Sequence, residues 1–158
     1  MVAVLEPKPY ISRIRDFTQH MRVQGFPQGF PSNSPIWLFW KASISLELVN
    51  SSDQFINTKV SKGSQTFIHS LVYAMCDAQV TDSLWDDLSS INPGDVMWIV
   101  GGDINILASP KEKKVSGSFP RRSSQALMAF MDRNGLIDTS FTGDPFIWCN
   151  NQCGSHCY

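Results

Sequence analysis

Asp103 and Asn105 stand one residue apart, directly after the apolar run Val96-Met97-Trp98-Ile99-Val100 and the pair Gly101-Gly102. A carboxylate and a carboxamide delivered together by a strand can orient water and hold phosphate oxygens, the work of a metal-dependent phosphoesterase centre. Two further polar side chains fall at the ends of apolar runs: Glu6 after Val2-Ala3-Val4-Leu5, and Tyr73 within Leu71-Val72-Tyr73-Ala74. A hard divalent cation such as Mg²⁺ takes oxygen ligands and keeps several waters, so one or two carboxylates plus substrate phosphate oxygens make a sufficient site. In that arrangement Glu6 is the metal ligand and Asp103 orients or deprotonates the attacking water, while Asn105 and Tyr73 donate to water or to a non-bridging oxygen. Each residue also has a plainer reading. Gly, Asp and Asn are ordinary at a strand-to-turn exit, Glu6 before Pro7 fits a solvated strand end, and Tyr73 fits a core aromatic with its hydroxyl at the rim. No histidine is obviously placed beside Asp103: His20 lies in a helical pattern, His69 in mid-strand and His156 near the last residue.

The elements that must position these groups can be read from hydrophobic period and punctuation. Val96 to Val100 lacks polar alternation and is expected to be a strand covered on both faces, after which Gly101 and Gly102 let the backbone turn sharply or be approached closely. Val2 to Leu5 reads as a short strand ended by Glu6 and the prolines at 7 and 9. Ile11, Ile14, Phe17 and Met21 recur at helical spacing, and a loop spans residues 25–31. Ile36 to Trp40, Ile44 to Val49 and Gln54 to Val60 read as an antiparallel meander, followed by a strand from Gln65 to Ala74. Thr81 is the expected cap of a helix carrying Leu84, Trp85, Leu88 and Ile91. A second helix is expected from Ser123 to Asn134 with Gly135 as its C′ residue, and a last strand from Phe146 to Cys149. Between them, Lys111, Lys113, Lys114, Arg121 and Arg122 make a basic stretch in the loop 109–122, which either contacts phosphates or is simply solvated.

The chain has 158 residues, 42% of them hydrophobic, enough for one domain with a real core. A net charge of −1 and a pI near 6.3 give no global basic field, so any nucleic-acid contact must come from local patches. No apolar stretch is long enough to span a membrane and no leader pattern opens the sequence, so an intracellular location, nuclear or cytoplasmic, is expected. Cys149, Cys153 and Cys157 crowd near His156 but lack the paired Cys-x-x-Cys spacing of structural zinc, and Cys149 inside an apolar run is more simply a buried thiol.

The segments LEP (5–7), IWLFW (36–40), SDQFI (52–56), VYA (72–74), LWDDL (84–88), WIVGGDIN (98–105), GLID (135–138) and FTGDPFIWCNN (141–151) follow one another in a familiar order. Together they resemble the endonuclease/exonuclease/phosphatase family, specifically the apurinic-type endonuclease domain of plant non-LTR (LINE-like) retrotransposons. The resemblance implies an α/β, DNase I-like fold: a partial four-layer sandwich of two mixed β-sheets with flanking helices. It also implies Mg²⁺-dependent hydrolysis of DNA phosphodiesters. By motif, Glu6 matches the metal-ligand glutamate, Tyr73 the active-site tyrosine, Asp103 with Asn105 the GD-x-N pair, and residues 146–151 a mostly structural strand. Members of the family also carry an asparagine on a strand ahead of the glutamate, and Leu-Asp-Arg and Ser-Asp-His segments near the end. This sequence holds none of these, nor the arginine usual before the LW helix. The expectation is therefore a single incomplete domain over 1–158, a retroelement-derived fragment with weak or no nuclease activity of its own. Two other functions fit the same scaffold: a non-catalytic module that binds nucleic acid or protein through the basic stretch, and a phosphomonoesterase of the same superfamily.

Overall fold

The structure, a computed structural model, describes residues 1–7, 13–25, 34–76, 78–91, 93–112, 119–140 and 142–143. Along the chain run β1 (Val2–Leu5), α1 (Arg13–Met21), β2 (Gln24–Gly25), β3 (Ile36–Trp40), β4 (Ser45–Ser51), β5 (Phe55–Lys62), β6 (Gln65–Tyr73), α2 (Ala78–Ser89), β7 (Trp98–Asp103) and α3 (Arg121–Arg133). The strands form two sheets, ordered β1-β3-β2 and β4-β5-β6-β7. The first is antiparallel; in the second the only parallel pair among the described strands is β6 with β7, so the chain is an α/β protein with one mixed sheet. Among the described residues no helix is long and apolar enough to cross a membrane.

Contacts group the chain into two compact units: residues 1–75 with 92–104, and residues 76–91 with 105–158. In the first unit the unbroken apolar run of β3 forms the middle strand of its sheet, and all five residues are buried. Ile36, Leu38 and Trp40 point to one side, where they meet Ile56 of β5 and Leu71 of β6; Leu5, Leu46, Leu48 and Tyr73 pack around them. The core of this unit is thus the layer between its two sheets. Side chains such as Ile36, Leu38 and Ile56, each 0% exposed, contribute about 1.5–3 kcal/mol apiece by leaving water.

The expected meander is displaced by one strand. IWLFW does not pair with β4; it pairs with β1 and β2, and the meander is β4-β5-β6. A strand apolar on both faces needs neighbours on both edges and cover on both sides, whereas β4 alternates exposed and half-buried residues as a sheet edge does. The loop expected at 25–31 also gives up its first residue, since Gln24 and Gly25 pair with Trp40 and Phe39.

Strand β7 corrects one further expectation and decides between the two roles expected for its glycines. It is not covered on both faces: among the described strands it is the sheet edge, with Ile99 42% exposed and, just ahead of the strand, Val96 42% and Met97 59%. Nor do its glycines make a turn. The parallel register runs through Leu71↔Gly101 and Val72↔Gly102 to Tyr73↔Asp103, so both glycines lie within the strand. Gly102 has φ +140, and a Cβ there would collide with the Val72 carbonyl oxygen. Close approach, rather than turning, is what this glycine permits.

In the second unit α2 and α3 pack through Trp85 and Phe130, whose ring centroids are 4.9 Å apart. Asn134 Nδ2 donates to Ser89 Oγ at 3.0 Å, and Arg133 pairs with Asp86 at 3.1 Å. Thr81 does not cap α2. The helix begins at Ala78, whose Ala-Gln start propagates it one turn earlier, and Thr81 sits buried within the first turn. Helix α3 starts at Arg121, two residues earlier than the periodicity indicates, so Arg121 and Arg122 are helical rather than part of the basic loop. Its end follows expectation: Gly135 has φ 62, Gly135 N donates to Asp132 O, and Leu136 N donates to Met131 O, the paired bonds of a Schellman ending. The strand expected at Phe146 to Cys149, the start of the first helix at Ile11, and Lys113, Lys114, Cys149, Cys153, His156 and Cys157 lie outside the described residues.

Candidate functional site

Glu6 is the first residue after β1, and Tyr73 is the last residue of β6, in the opposite sheet of the first unit. The Tyr73 hydroxyl donates to Glu6 Oε1, joining the two sheets at one end of the core layer. Asp103 is the last residue of β7 and the register partner of Tyr73. Neighbouring parallel strands present register partners on the same face, so Asp103 emerges on the face that carries Tyr73. The bond from Ala74 N to Asp103 O, at 2.8 Å, ties Asp103 to the residue that follows Tyr73. Three residues far apart in sequence are therefore gathered by β1, β6 and β7 at the carboxyl ends of those strands. Asn105 follows two residues later, exposed, as the first residue of the second unit.

The backbone at Glu6 is unusual. Its φ is 47, in the left-handed region, although it is neither glycine nor asparagine and precedes a proline, which itself disfavours helical conformations. Its N–H donates to Pro35 O at 2.9 Å, which ties the departing chain to the start of β3. Asn105 also has a positive φ, 51, a conformation its short amide side chain tolerates. Held strain of this kind concentrates where a side chain must be presented in a set direction. Nothing in the sequence reports it at Glu6.

A second residue invisible to sequence reasoning is Gln54. It occupies the tip of the β4–β5 hairpin, where Ser52 N donates to Phe55 O at 2.9 Å, yet it is only 4% exposed. Hairpin tips normally face water. Gln54 O accepts from Tyr73 N at 2.8 Å, and Gln54 Oε1 accepts from Met75 N at 2.9 Å. The only available signal was a long amide side chain in a two-residue turn usually filled by Gly, Asn or Asp.

His69, four residues before Tyr73 on β6, is a half-buried titratable group of the same unit. Its pKa lies below the ordinary 6.5, first because burial removes water from the imidazolium and second because of the positive amino terminus. Its Nδ1 has no hydrogen-bond partner among the described residues. Trp98 of β7 donates from Nε1 to Ser70 Oγ at 2.7 Å, a cross-strand bond that ties β7 to β6 near the middle of their pairing. Cys76, just past the site strand, is an exposed free thiol.

The carboxylates of Glu6 and Asp103 offer oxygen donors alone, which suits a hard cation better than the thiolate and imidazole sites that zinc favours. Among the described residues no group of three or more His, Cys, Asp and Glu side chains is placed to hold a metal ion. Both carboxylates are exposed, and Tyr73 engages one oxygen of Glu6. That is compatible with the sparse protein ligation of Mg²⁺, which relies on water and substrate for the remaining positions. Of the basic stretch, Lys111 lies in a short 3-10 turn and Arg121 and Arg122 in the first turn of α3, all three exposed in the second unit. No protein-family model matches the chain, and no curated protein matches it.

Proposed function

We propose that the chain carries an Mg²⁺-dependent phosphodiesterase centre of the endonuclease/exonuclease/phosphatase type, with DNA as its substrate class and a retroelement endonuclease domain as its source. The observation that carries this reading is the Tyr73–Glu6 hydrogen bond with Asp103 in register beside it. The motif order from Leu5-Glu6-Pro7 to the GD-x-N pair, on an α/β scaffold with two sheets, agrees with it. The finer architecture proposed is the partial four-layer DNase I-like sandwich.

Glu6 would hold the Mg²⁺, which when bound polarises a phosphoryl oxygen and offsets the charge that develops during hydrolysis. Tyr73 would fix the direction of the Glu6 carboxylate through its hydroxyl, which engages one of the two carboxylate oxygens. Asp103 orients the attacking water and takes its proton. Asn105, assigned by the GD-x-N motif alone, donates its amide to a non-bridging oxygen without repelling the anion. The described histidines are His20, exposed at the end of α1, and His69, half-buried in the middle of β6, and the reading assigns neither a role.

The test is nicking of supercoiled plasmid with and without Mg²⁺ by the chain and by its Glu6→Ala and Asp103→Ala variants. Mg²⁺-dependent nicking that falls about a hundredfold in each variant is expected, the scale of losing one preorganised group. Nicking that survives both changes would remove the proposal. Salt-sensitive DNA binding indifferent to Mg²⁺ and to Asp103→Ala would replace it with the non-catalytic binding module.

A further inference from the structure

The hydrogen bonds at the end of β6 point to Gln54 as the positioning residue of this centre. The inference deepens the phosphodiesterase reading and rests on it for the word centre. In the β5–β6 ladder Phe55 pairs with Val72, so a ladder continued outward would set Gln54 opposite Tyr73 and Ser52 opposite Met75. The first of these bonds is made, from Tyr73 N to Gln54 O at 2.8 Å. The second cannot be made in the ordinary way, because the chain has turned back at Ser52 to close the hairpin: Ser52 N donates to Phe55 O, and Ser52 Oγ accepts from Gln54 N at 3.1 Å. The Gln54 side chain takes the place of the missing strand, its Oε1 accepting from Met75 N at 2.9 Å.

One residue therefore grips the chain on both sides of Ala74. On the other edge Ala74 N donates to Asp103 O at 2.8 Å. Successive amides of Tyr73, Ala74 and Met75 are thereby bound to Gln54, Asp103 and Gln54 in turn. The tyrosine whose hydroxyl reaches Glu6, and the strand end that carries Asp103, are both registered by this segment. Burial at 4% supplies the energetic reason for the arrangement to hold, since a buried amide without partners is costly and this one is bound through both its backbone and its side chain.

Gln54→Met keeps the volume and removes the acceptor, whereas Gln54→Glu keeps an acceptor oxygen at the same reach. In protein with Tyr10 and Tyr158 replaced by phenylalanine, the ring-carbon NMR signal of Tyr73 reports its hydroxyl contact. Amide exchange reports Met75. Gln54→Met should speed Met75 exchange about tenfold, move the Tyr73 signal toward its position in Glu6→Ala, and lower the kcat of nicking about tenfold with KM unchanged. Gln54→Glu should restore all three. Wild-type Met75 exchange and Tyr73 signal in Gln54→Met would overturn the inference. If Gln54→Met does not fold, Gln54→Asn, which withdraws the amide by one methylene, is read in the same way. Failure of Gln54→Glu to fold as well would overturn it by making the residue a general structural one. The two readings separate cleanly: a Tyr73 signal that moves while nicking ignores Glu6 and Asp103 keeps the grip and ends the phosphodiesterase reading. Nicking that needs Glu6 but is untouched in Gln54→Met ends the grip alone.

Discussion

Glu6 carries two demands that ordinarily pull apart. Its carboxylate is held by the Tyr73 hydroxyl, and its backbone sits at φ 47 immediately before Pro7. A side chain at a left-handed position costs on the order of 1–2 kcal/mol relative to glycine, so the fold tolerates the strain in order to set the direction of this carboxylate. That separates two substitutions that remove the same carboxylate. Glu6→Ala loses the contact with Tyr73 and keeps the strain, whereas Glu6→Gly loses the contact and relieves it. Glu6→Gly should be about 1 kcal/mol more stable than Glu6→Ala in urea unfolding, partly offset by the looser unfolded chain of the glycine variant. Both should lose nicking equally. Equal stability of the two, or a less stable glycine variant, would show that the left-handed conformation costs no more there than the freedom glycine adds to the unfolded chain.

The elements show where pattern reading holds and where it stops. Each strand near the site is visible as an apolar run, and the Schellman ending of α3 at Gly135 follows from residue type alone, because these features depend on local composition. What the pattern does not contain is partnership. The run IWLFW reads equally well as the first strand of a meander or the middle strand of another sheet, and only its neighbours decide; likewise β7 reads as doubly covered but is an edge among the described strands. Of the candidate site, Glu6, Tyr73 and Asp103 were legible as strand ends with polar side chains, while the grip of Gln54 was not, since it depends on two strands ending at the same height. Gly101 and Gly102 were legible as glycines but not as strand residues. The close approach at Gly102 makes the corresponding prediction strong. Gly102→Ala places a Cβ against the Val72 carbonyl oxygen at φ +140, where an L side chain is already strained, and the obstruction is backbone that cannot rotate away. Loss of about 3 kcal/mol or more is expected, with the exchange protection of β7 amides reduced first. Gly101→Ala, with open space around its Cβ, should cost much less. A difference of less than about 0.5 kcal/mol between the two variants would show that β7 can shift away from β6 without penalty.

At the scale of the whole molecule charge is nearly balanced, with 13 basic and 14 acidic residues and a pI near 6.3, so no strong self-repulsion sets the pH range of stability. Individual desolvated groups then matter more than the net field, and the half-buried His69 is such a group. Its folded pKa is depressed below 6.5 by burial first and by the positive amino terminus second. The folded chain thus refuses a proton that the unfolded chain accepts. Because the unfolded state binds more protons between the two pKa values, unfolding free energy rises with pH across that window. The stability associated with neutral His69 is fully present above the unfolded value of 6.5 and is lost progressively as the pH falls through it toward the folded value. A single proton difference of this kind bends the stability curve by at most about 1.4 kcal/mol per pH unit. Replacing His69 by leucine removes the titrating ring and the unpartnered Nδ1 together, at a position set between Thr58 of β5 and Ile99 of β7. The urea midpoint of the unmodified chain should therefore fall more steeply than that of His69→Leu between about pH 7 and about pH 5, with the two converging or crossing in favour of the variant on the acid side. Parallel curves over that interval would mean that His69 takes up its proton as readily in the folded chain as in the unfolded one, and that the sheet around it opens to water.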